Sequence, residues 1–182
     1  GREVGREEEI SQITSRAMRG ELDFESSLRK RVSFLEGLPI SVFDKVFNSI
    51  HLTPNAQEFI SILQKNGILV GLVSGGFTQI VERLAKSLGI AYFSANQLEV
   101  KDGLLTGKLI GQIISPQVKK KTLEKWREKL KLPKERTIAI GDGANDLLML
   151  MSAGLGIAFC AKEVLKKEIP NHVDKRDFLE VL

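Results

Sequence analysis

Only one of the 182 residues is a cysteine, Cys160. A single thiol excludes a disulfide framework and points to a reducing compartment, here the cytoplasm. Cys160 closes the apolar run Leu155-Gly156-Ile157-Ala158-Phe159, so a small buried core residue is expected there rather than a nucleophile. No apolar run reaches membrane-spanning length, and no membrane partner is expected. The opening Gly1-Arg2-Glu3-Val4-Gly5-Arg6-Glu7 has no apolar stretch of the kind a secretory leader needs. Internal repeats and low-complexity segments are absent too. What remains is a chain with 42% hydrophobic and 27% charged residues, the balance of a globular protein. Its length suits one domain with a sizeable core and a small accessory unit.

The formal net charge is +4. Much of the basic excess falls in residues 119–136, where Glu124, Glu128 and Glu135 are interleaved and Trp126 is the only aromatic. Interleaved signs describe a solvated helix face better than a nucleic-acid surface, so no nucleic-acid partner is expected. A mildly positive field favours a small, phosphorylated, anionic substrate.

The pattern changes near residue 50. Before it, only helices are predicted: 7–18, ended by Gly20; 24–35, capped by Asp23 and stopped by Gly37-Leu38-Pro39; and 41–50. This reads as a small helical unit over 1–50. From Leu52 onward, helices alternate with strands over 51–182. Helices are predicted at 55–64, 78–88, 116–130 and 162–168. Strands are predicted at 68–73, 91–93, 137–140 and 156–159. Lys101-Asp102-Gly103, flanked by Leu98 to Val100 and Leu104 to Thr106, is a hairpin signal. Alternation of this kind predicts an α/β fold with a doubly wound, mostly parallel sheet.

The chemistry concentrates in Gly141-Asp142-Gly143-Ala144-Asn145-Asp146, which follows the β-branched run Thr137-Ile138-Ala139-Ile140. Leu147, Leu148, Leu150 and Met151 then return at helical spacing, so the hexapeptide is a strand-to-helix turn. An Asp-Gly turn followed by an Asp N-cap explains 141–143 but leaves Asn145 and the second Asp without a purpose. In open α/β sheets ligands bind beyond the carboxyl ends of the strands. Two carboxylates placed there make a hard-oxygen site suited to Mg²⁺. A second turn, Val73-Ser74-Gly75-Gly76, offers a hydroxyl and several backbone N–H groups to an anion, and its glycines allow close approach. Lys119, Lys120 and Lys121 open the helix before the 137–140 strand and compete, on chemistry alone, to neutralise such an anion.

Together these segments resemble the haloacid dehalogenase superfamily of phosphoryl-transfer enzymes. Gly141-Asp142-Gly143-Ala144-Asn145-Asp146 is similar to its fourth motif and Ser74-Gly75-Gly76 to its second. The likeness sharpens toward the phosphoserine phosphatase family. It is carried by Arg16-Ala17-Met18-Arg19-Gly20-Glu21-Leu22-Asp23-Phe24, by Ser27-Leu28-Arg29-Lys30-Arg31-Val32, by Lys101-Asp102-Gly103-Leu104-Leu105-Thr106-Gly107 and by Ile157-Ala158-Phe159-Cys160-Ala161-Lys162. The resemblance implies a Rossmann-like parallel sheet under a helical cap, with the cap at 1–50 and the core at 51–182. It implies Mg²⁺ on Asp142, with Asp146 behind it. Lys119 is selected among the three lysines by the register of Val118-Lys119-Lys120-Lys121-Thr122-Leu123-Glu124-Lys125, and Asp142 and Lys119 become the catalytic residues of this chain. Substrate contacts are implied for Met18, Phe24, Arg31, Ser74, Gly75, Gly76, Lys119 and Asn145. Among these, Arg31 would grip a carboxylate through paired hydrogen bonds. The implied reaction is Mg²⁺-dependent hydrolysis of O-phospho-L-serine to serine and phosphate. Another small-molecule phosphatase of the superfamily, or an inactive binding or regulatory domain, is the alternative.

One part of the family pattern is not in the sequence. The family begins with Asp-x-Asp-x-Thr, whose first Asp attacks phosphorus and whose second acts as general acid and base. No Asp-x-Asp occurs anywhere in these residues. The expectation is a truncated chain, inactive by itself, that lacks the central first strand of the sheet. Adjacent strands lie about 4.8 Å apart, so the strands ending at Ser74 and Asp142 should stand roughly twice that apart and form no direct ladder.

Overall fold

The computed structural model describes residues 5–18 and 21–182, the side chain of Met18 excepted. The order of elements is helical first and alternating afterwards. Helices α1 (Glu7–Met18), α2 (Phe24–Ser33) and α3 (Val42–Asn48) precede α4 (Ala56–Lys65). Then come β1 (Gly71–Phe77), α5 (Thr78–Ser87), β2 (Tyr92–Lys101), β3 (Leu104–Ile110) and α6 (Pro116–Lys129). The chain ends with β4 (Ile138–Gly141), α7 (Leu147–Ser152), β5 (Leu155–Phe159), α8 (Glu163–Lys166) and β6 (His172–Val173). The fold is α/β. Among the described residues no helix is long and apolar enough to cross a membrane.

Among the described residues the strands form two three-stranded sheets, ordered β1-β2-β3 and β4-β5-β6. The second is parallel throughout, with Ile138 to Gly141 registered against Leu155 to Ala158 and β6 continuing beside Ala158 and Phe159. In the first, β2 and β3 are antiparallel and Lys101 faces Leu104. The two residues between them, Asp102 and Gly103, have φ of 51° and 77°. Positive φ at both positions matches the right-handed twist of the strands, and Asp-Gly accepts it readily. No ladder joins β1 to β4 among the described residues, so each keeps one edge without a strand partner.

Two compact units emerge. One takes in the chain up to Ile50 together with Gly75–Glu82 and Ala95–Ile113. Its core is Leu28, Val32, Phe43, Leu98, Leu105 and Ile113. The hairpin belongs to this unit because the loop after α2 is clipped to it. Gly37 N donates to Leu105 O at 2.8 Å, Leu105 N to Leu38 O at 2.8 Å, and Ile40 N to Gly103 O at 2.9 Å. Asp23 caps α2 as expected, accepting from Ser26 N at 2.9 Å. These hydrogen bonds hold its carboxyl below the usual range.

The other unit contains His51–Ser74, Arg83–Ser94 and Ile114–Leu182. Its core is built on Ala139, Met149, Leu150, Ala153, Ala158, Ala161, Leu165 and Ile169, with Val73, Leu123 and Leu147 packed against it. Burial of this apolar surface is the main force holding β1, β4, α6 and α7 together.

Three local readings are corrected. The strand expected at 68–73 begins at Gly71 and runs on through Ser74, Gly75 and Gly76 to Phe77. Leu69, 60% exposed, lies outside it. The short strands expected at 91–93 and 98–100 are one strand, β2. The polar residues between them hid its continuity, since Asn96 is buried and its Nδ2 donates to Gly75 O at 2.8 Å. Cys160 is exposed rather than buried. β5 ends at Phe159, and Cys160, at φ 46°, turns out of the strand.

Candidate active site

β4 delivers the chain to Asp142 and a short 3-10 turn, Ala144–Asp146, before α7 begins. The turn is organised around Asp146, which is 5% exposed. Its Oδ2 accepts from the backbone N–H of Asp142 at 3.2 Å and of Gly143 at 3.3 Å. Its Oδ1 accepts from Lys119 Nζ at 2.6 Å. The side chain therefore folds back over the turn it ends. That path needs glycine at 141, while at 143 a side chain would displace the end of Asn145. A Cβ at 141 would lie 2.5 Å from Asp146 Cβ, and one at 143 would lie 2.5 Å from Asn145 Oδ1.

α6 brings Lys119 to this carboxylate. Ser115 caps the helix, accepting from Val118 N at 3.3 Å, and Pro116 occupies its first position. A proline there costs no hydrogen bond and presets the helical φ. Lys119 follows at the end of the first turn and is 6% exposed. Its neighbours point elsewhere: Lys120 lies 3.8 Å from Glu124 at the surface, and Lys121 is exposed. Of the three lysines only Lys119 enters the site. A buried ammonium beside a buried carboxylate persists because each removes the cost of leaving the other alone.

Asp142 is placed differently. It is exposed, and its carboxylate has no partner among the described residues, while its backbone oxygen accepts from Lys162 N at 3.4 Å. Asn145 is half-buried in the same turn. Among the described residues no cluster of three or more His, Cys, Asp and Glu side chains is arranged to hold a metal. Mg²⁺ does not require one, since it keeps several waters and commonly takes one or two carboxylates plus substrate oxygens. The free Asp142 carboxylate and the Asn145 amide oxygen are hard donors of that kind. Asp146 is already engaged by Lys119 and two amides, so it shapes the turn.

Ser74 lies inside β1, half-buried. Val73 beside it packs on the cluster that also holds Leu123 of α6, Ala139 of β4 and Leu147 of α7. One core thus carries the elements that present Ser74, Lys119, Asp142 and Asn145. At Gly75 a Cβ would meet nothing within 4 Å, so the backbone there faces open space.

In the other unit, Arg31 is on α2 and half-buried. Its Nε donates to Ser27 O at 3.3 Å and its Nη1 to Thr14 Oγ1 at 3.3 Å. No carboxylate pairs with it among the described residues, and burial alone pushes its pKa down. Phe24 is half-buried against the core of that unit. The side chain of Met18 lies outside the described residues. Thr14 was not anticipated from the sequence. On α1 it reads as one more polar helix residue, and only the pairing of two helices reveals its partner.

The chain is 49% identical over 182 residues to the phosphoserine phosphatase of Streptococcus thermophilus, across all of this chain and 85% of that one. It is 46% identical over 181 residues to the phosphoserine phosphatase of Methanocaldococcus jannaschii, whose length it covers to 86%. A solved substrate-bound phosphoserine phosphatase complex superposes with a TM-score of 0.92 at 46% identity, over 99% of this chain and 86% of that one. The family model of haloacid dehalogenase-like hydrolases matches residues 3–151. The chain thus belongs to the haloacid dehalogenase-like hydrolases, in their phosphoserine phosphatase branch.

Proposed function

We propose that this chain is the metal- and substrate-binding part of an Mg²⁺-dependent phosphatase that hydrolyses O-phospho-L-serine to L-serine and phosphate. The observation that carries the reading is the buried Lys119–Asp146 pair beneath a turn whose other carboxylate, Asp142, is exposed and uncommitted. Such a turn holds an ammonium fixed in place by Asp146 beside a free hard-oxygen ligand, an arrangement that suits a phosphoryl group and its metal. The relatives named phosphoserine phosphatase at 46% and 49% identity support the choice of substrate.

In this reading Asp142 holds the metal, with Asn145 beside it. Bound Mg²⁺ would polarise the phosphoryl oxygens and offset their charge. Ser74 and the backbone of Gly75 and Gly76 bind the phosphoryl oxygens, and Lys119 neutralises them from the side opposite solvent. Residues 1–50 serve as the cap unit and 51–182 as the core. Within the cap Arg31 takes the substrate carboxylate, and Phe24 contacts the substrate. An exposed free thiol at Cys160 suits the reducing cytoplasm.

Covalent phosphoryl transfer needs a nucleophile, and these residues contain no Asp-x-Asp-x-Thr. The 182 residues alone should therefore release phosphate from phosphoserine negligibly. A polypeptide carrying that motif on a strand ahead of them should do so in a Mg²⁺-dependent way, and Asp142→Ala in it should abolish turnover. Robust turnover by the 182 residues alone overturns the assignment of the nucleophile. Failure of the longer polypeptide favours a binding domain without catalysis.

A further inference from the structure

We propose that Thr14 is the positioning residue for Arg31, a neutral brace that aims the guanidinium and leaves its charge for a ligand carboxylate. The inference rests on the reading of Arg31 as a substrate-binding residue and adds a second residue to that site. The geometry is one-sided. Thr14 Oγ1 donates its only proton to Ile10 O at 2.7 Å, so toward Arg31 Nη1, at 3.3 Å, it can only accept. Arg31 Nε is fixed at the same time by Ser27 O, one turn earlier on its own helix. Two helices thus hold two points of one rigid plane, which sets its orientation.

Neither acceptor carries charge. A guanidinium has five N–H donors, and among the described residues two of its contacts are to neutral oxygens and none is to a carboxylate. A structural arginine on a helix pair would ordinarily be neutralised by an acidic partner, or else left flexible at the surface. Arg31 is half-buried, braced and not neutralised. An arginine held in this way is pre-organised for a planar anion, because little side-chain entropy remains to be lost on binding. Threonine suits the brace for the same reason. An Asp or Glu at 14 would fill the guanidinium from within.

The test is calorimetric titration of the 182-residue chain, in Mg²⁺, with O-phospho-L-serine and with O-phosphoethanolamine, which shares the phosphate and amine but has no carboxylate. The readout is the ratio of the two affinities. The parent chain should prefer phosphoserine, and Arg31→Ala should erase that preference. Thr14→Val, nearly isosteric, should lower it roughly tenfold, the usual scale for one hydrogen bond to a charged group. Thr14→Ser, which keeps the acceptor, should restore it, and Thr14→Glu should erase it as fully as Arg31→Ala. A preference lost in Arg31→Ala but kept in both Thr14→Val and Thr14→Glu overturns the brace alone. A parent chain without preference, or one that keeps it in Arg31→Ala, overturns the reading of Arg31 and the brace with it.

Discussion

Lys119 and Arg31 are two cations placed beside oxygen acceptors in opposite ways. Lys119 is buried, and its charge is answered inside the protein by Asp146 at 2.6 Å. Arg31 is half-buried, and its contacts are a carbonyl and a hydroxyl. The first arrangement builds a fixed, internally balanced turn that presents Asp142 outward. The second keeps an unbalanced charge in a defined direction. The first is complete before any ligand arrives, and the second would be completed only by one. The contrast also separates stability from recognition, since removing the counter-charge of Lys119 and removing the unpaired Arg31 should have very different costs.

The largest effect is expected at Asp146. Asp146→Ala leaves Lys119 buried without a counter-charge and frees the amides of Asp142 and Gly143. Breaking one member of a buried pair costs about 3–5 kcal/mol, a large share of the roughly 5–15 kcal/mol that holds a domain together. Urea midpoints should fall accordingly. Arg31→Met should cost under about 1 kcal/mol, because among the described residues no charge partner is orphaned. Equal losses at the two positions would break the comparison.

An intermediate effect of opposite sign is expected beside Arg31. The Ser27 hydroxyl is buried and, among the described residues, has no hydrogen-bond partner. Removing an unsatisfied buried polar atom relieves a desolvation penalty on the order of 1 kcal/mol, and alanine is the better helix former. Ser27→Ala should therefore raise the urea midpoint. A lower midpoint would show that the hydroxyl is satisfied, and that α2 is tuned more tightly for folding than its open guanidinium implies.

Much of this was legible in the sequence, and the reasons for the misses are physical. The strand-turn-helix around 141–146 was readable because its glycines, its carboxylates and the apolar runs on both sides agree. Lys119 could be separated from Lys120 and Lys121 only by resemblance, since three adjacent lysines are equivalent until a helix face is fixed. β2 reads as two strands because Asn96 breaks the apolar pattern, and its burial is compensated by a distant carbonyl that local sequence does not show. Cys160 reads as a core residue because period-two reasoning cannot see a φ of 46° one residue after a strand. The hairpin at 101–104 was found from Asp-Gly alone, yet its membership in the first unit follows from backbone bonds to Gly37, Leu38 and Ile40. Pairings across long sequence separations are what a one-dimensional pattern omits.

The smallest effect concerns a carboxylate held by neutral donors at the surface, the mirror image of Arg31. Asp177 Oδ1 accepts from Asn55 Nδ2 at 2.9 Å and from Leu179 N at 3.0 Å. These bonds latch the end of the chain onto α4, where Phe178 N donates to Pro54 O at 3.1 Å. The Phe178 ring stacks on Phe59 and Phe159, with centroids 5.3 and 4.4 Å away. The Asn55 amide, and then the Leu179 N–H, hold the Asp177 carboxyl below its ordinary value of 3.8. A folded pKa below the unfolded one means that the ionised form is favoured by folding. The contribution is therefore fully present above the unfolded value and is lost as pH falls through the folded one. Urea midpoints should be slightly lower in Asp177→Asn than in the parent near neutrality and should drop less steeply between about pH 5 and pH 2, so that the two curves converge in acid. Asn55→Ala should flatten the curve in the same region, because its amide is the largest cause of the shift. Parallel curves for parent and both variants would show that the latch is held by the stacked rings and the Pro54 hydrogen bond, and that a neutral brace at the surface contributes nothing to folding.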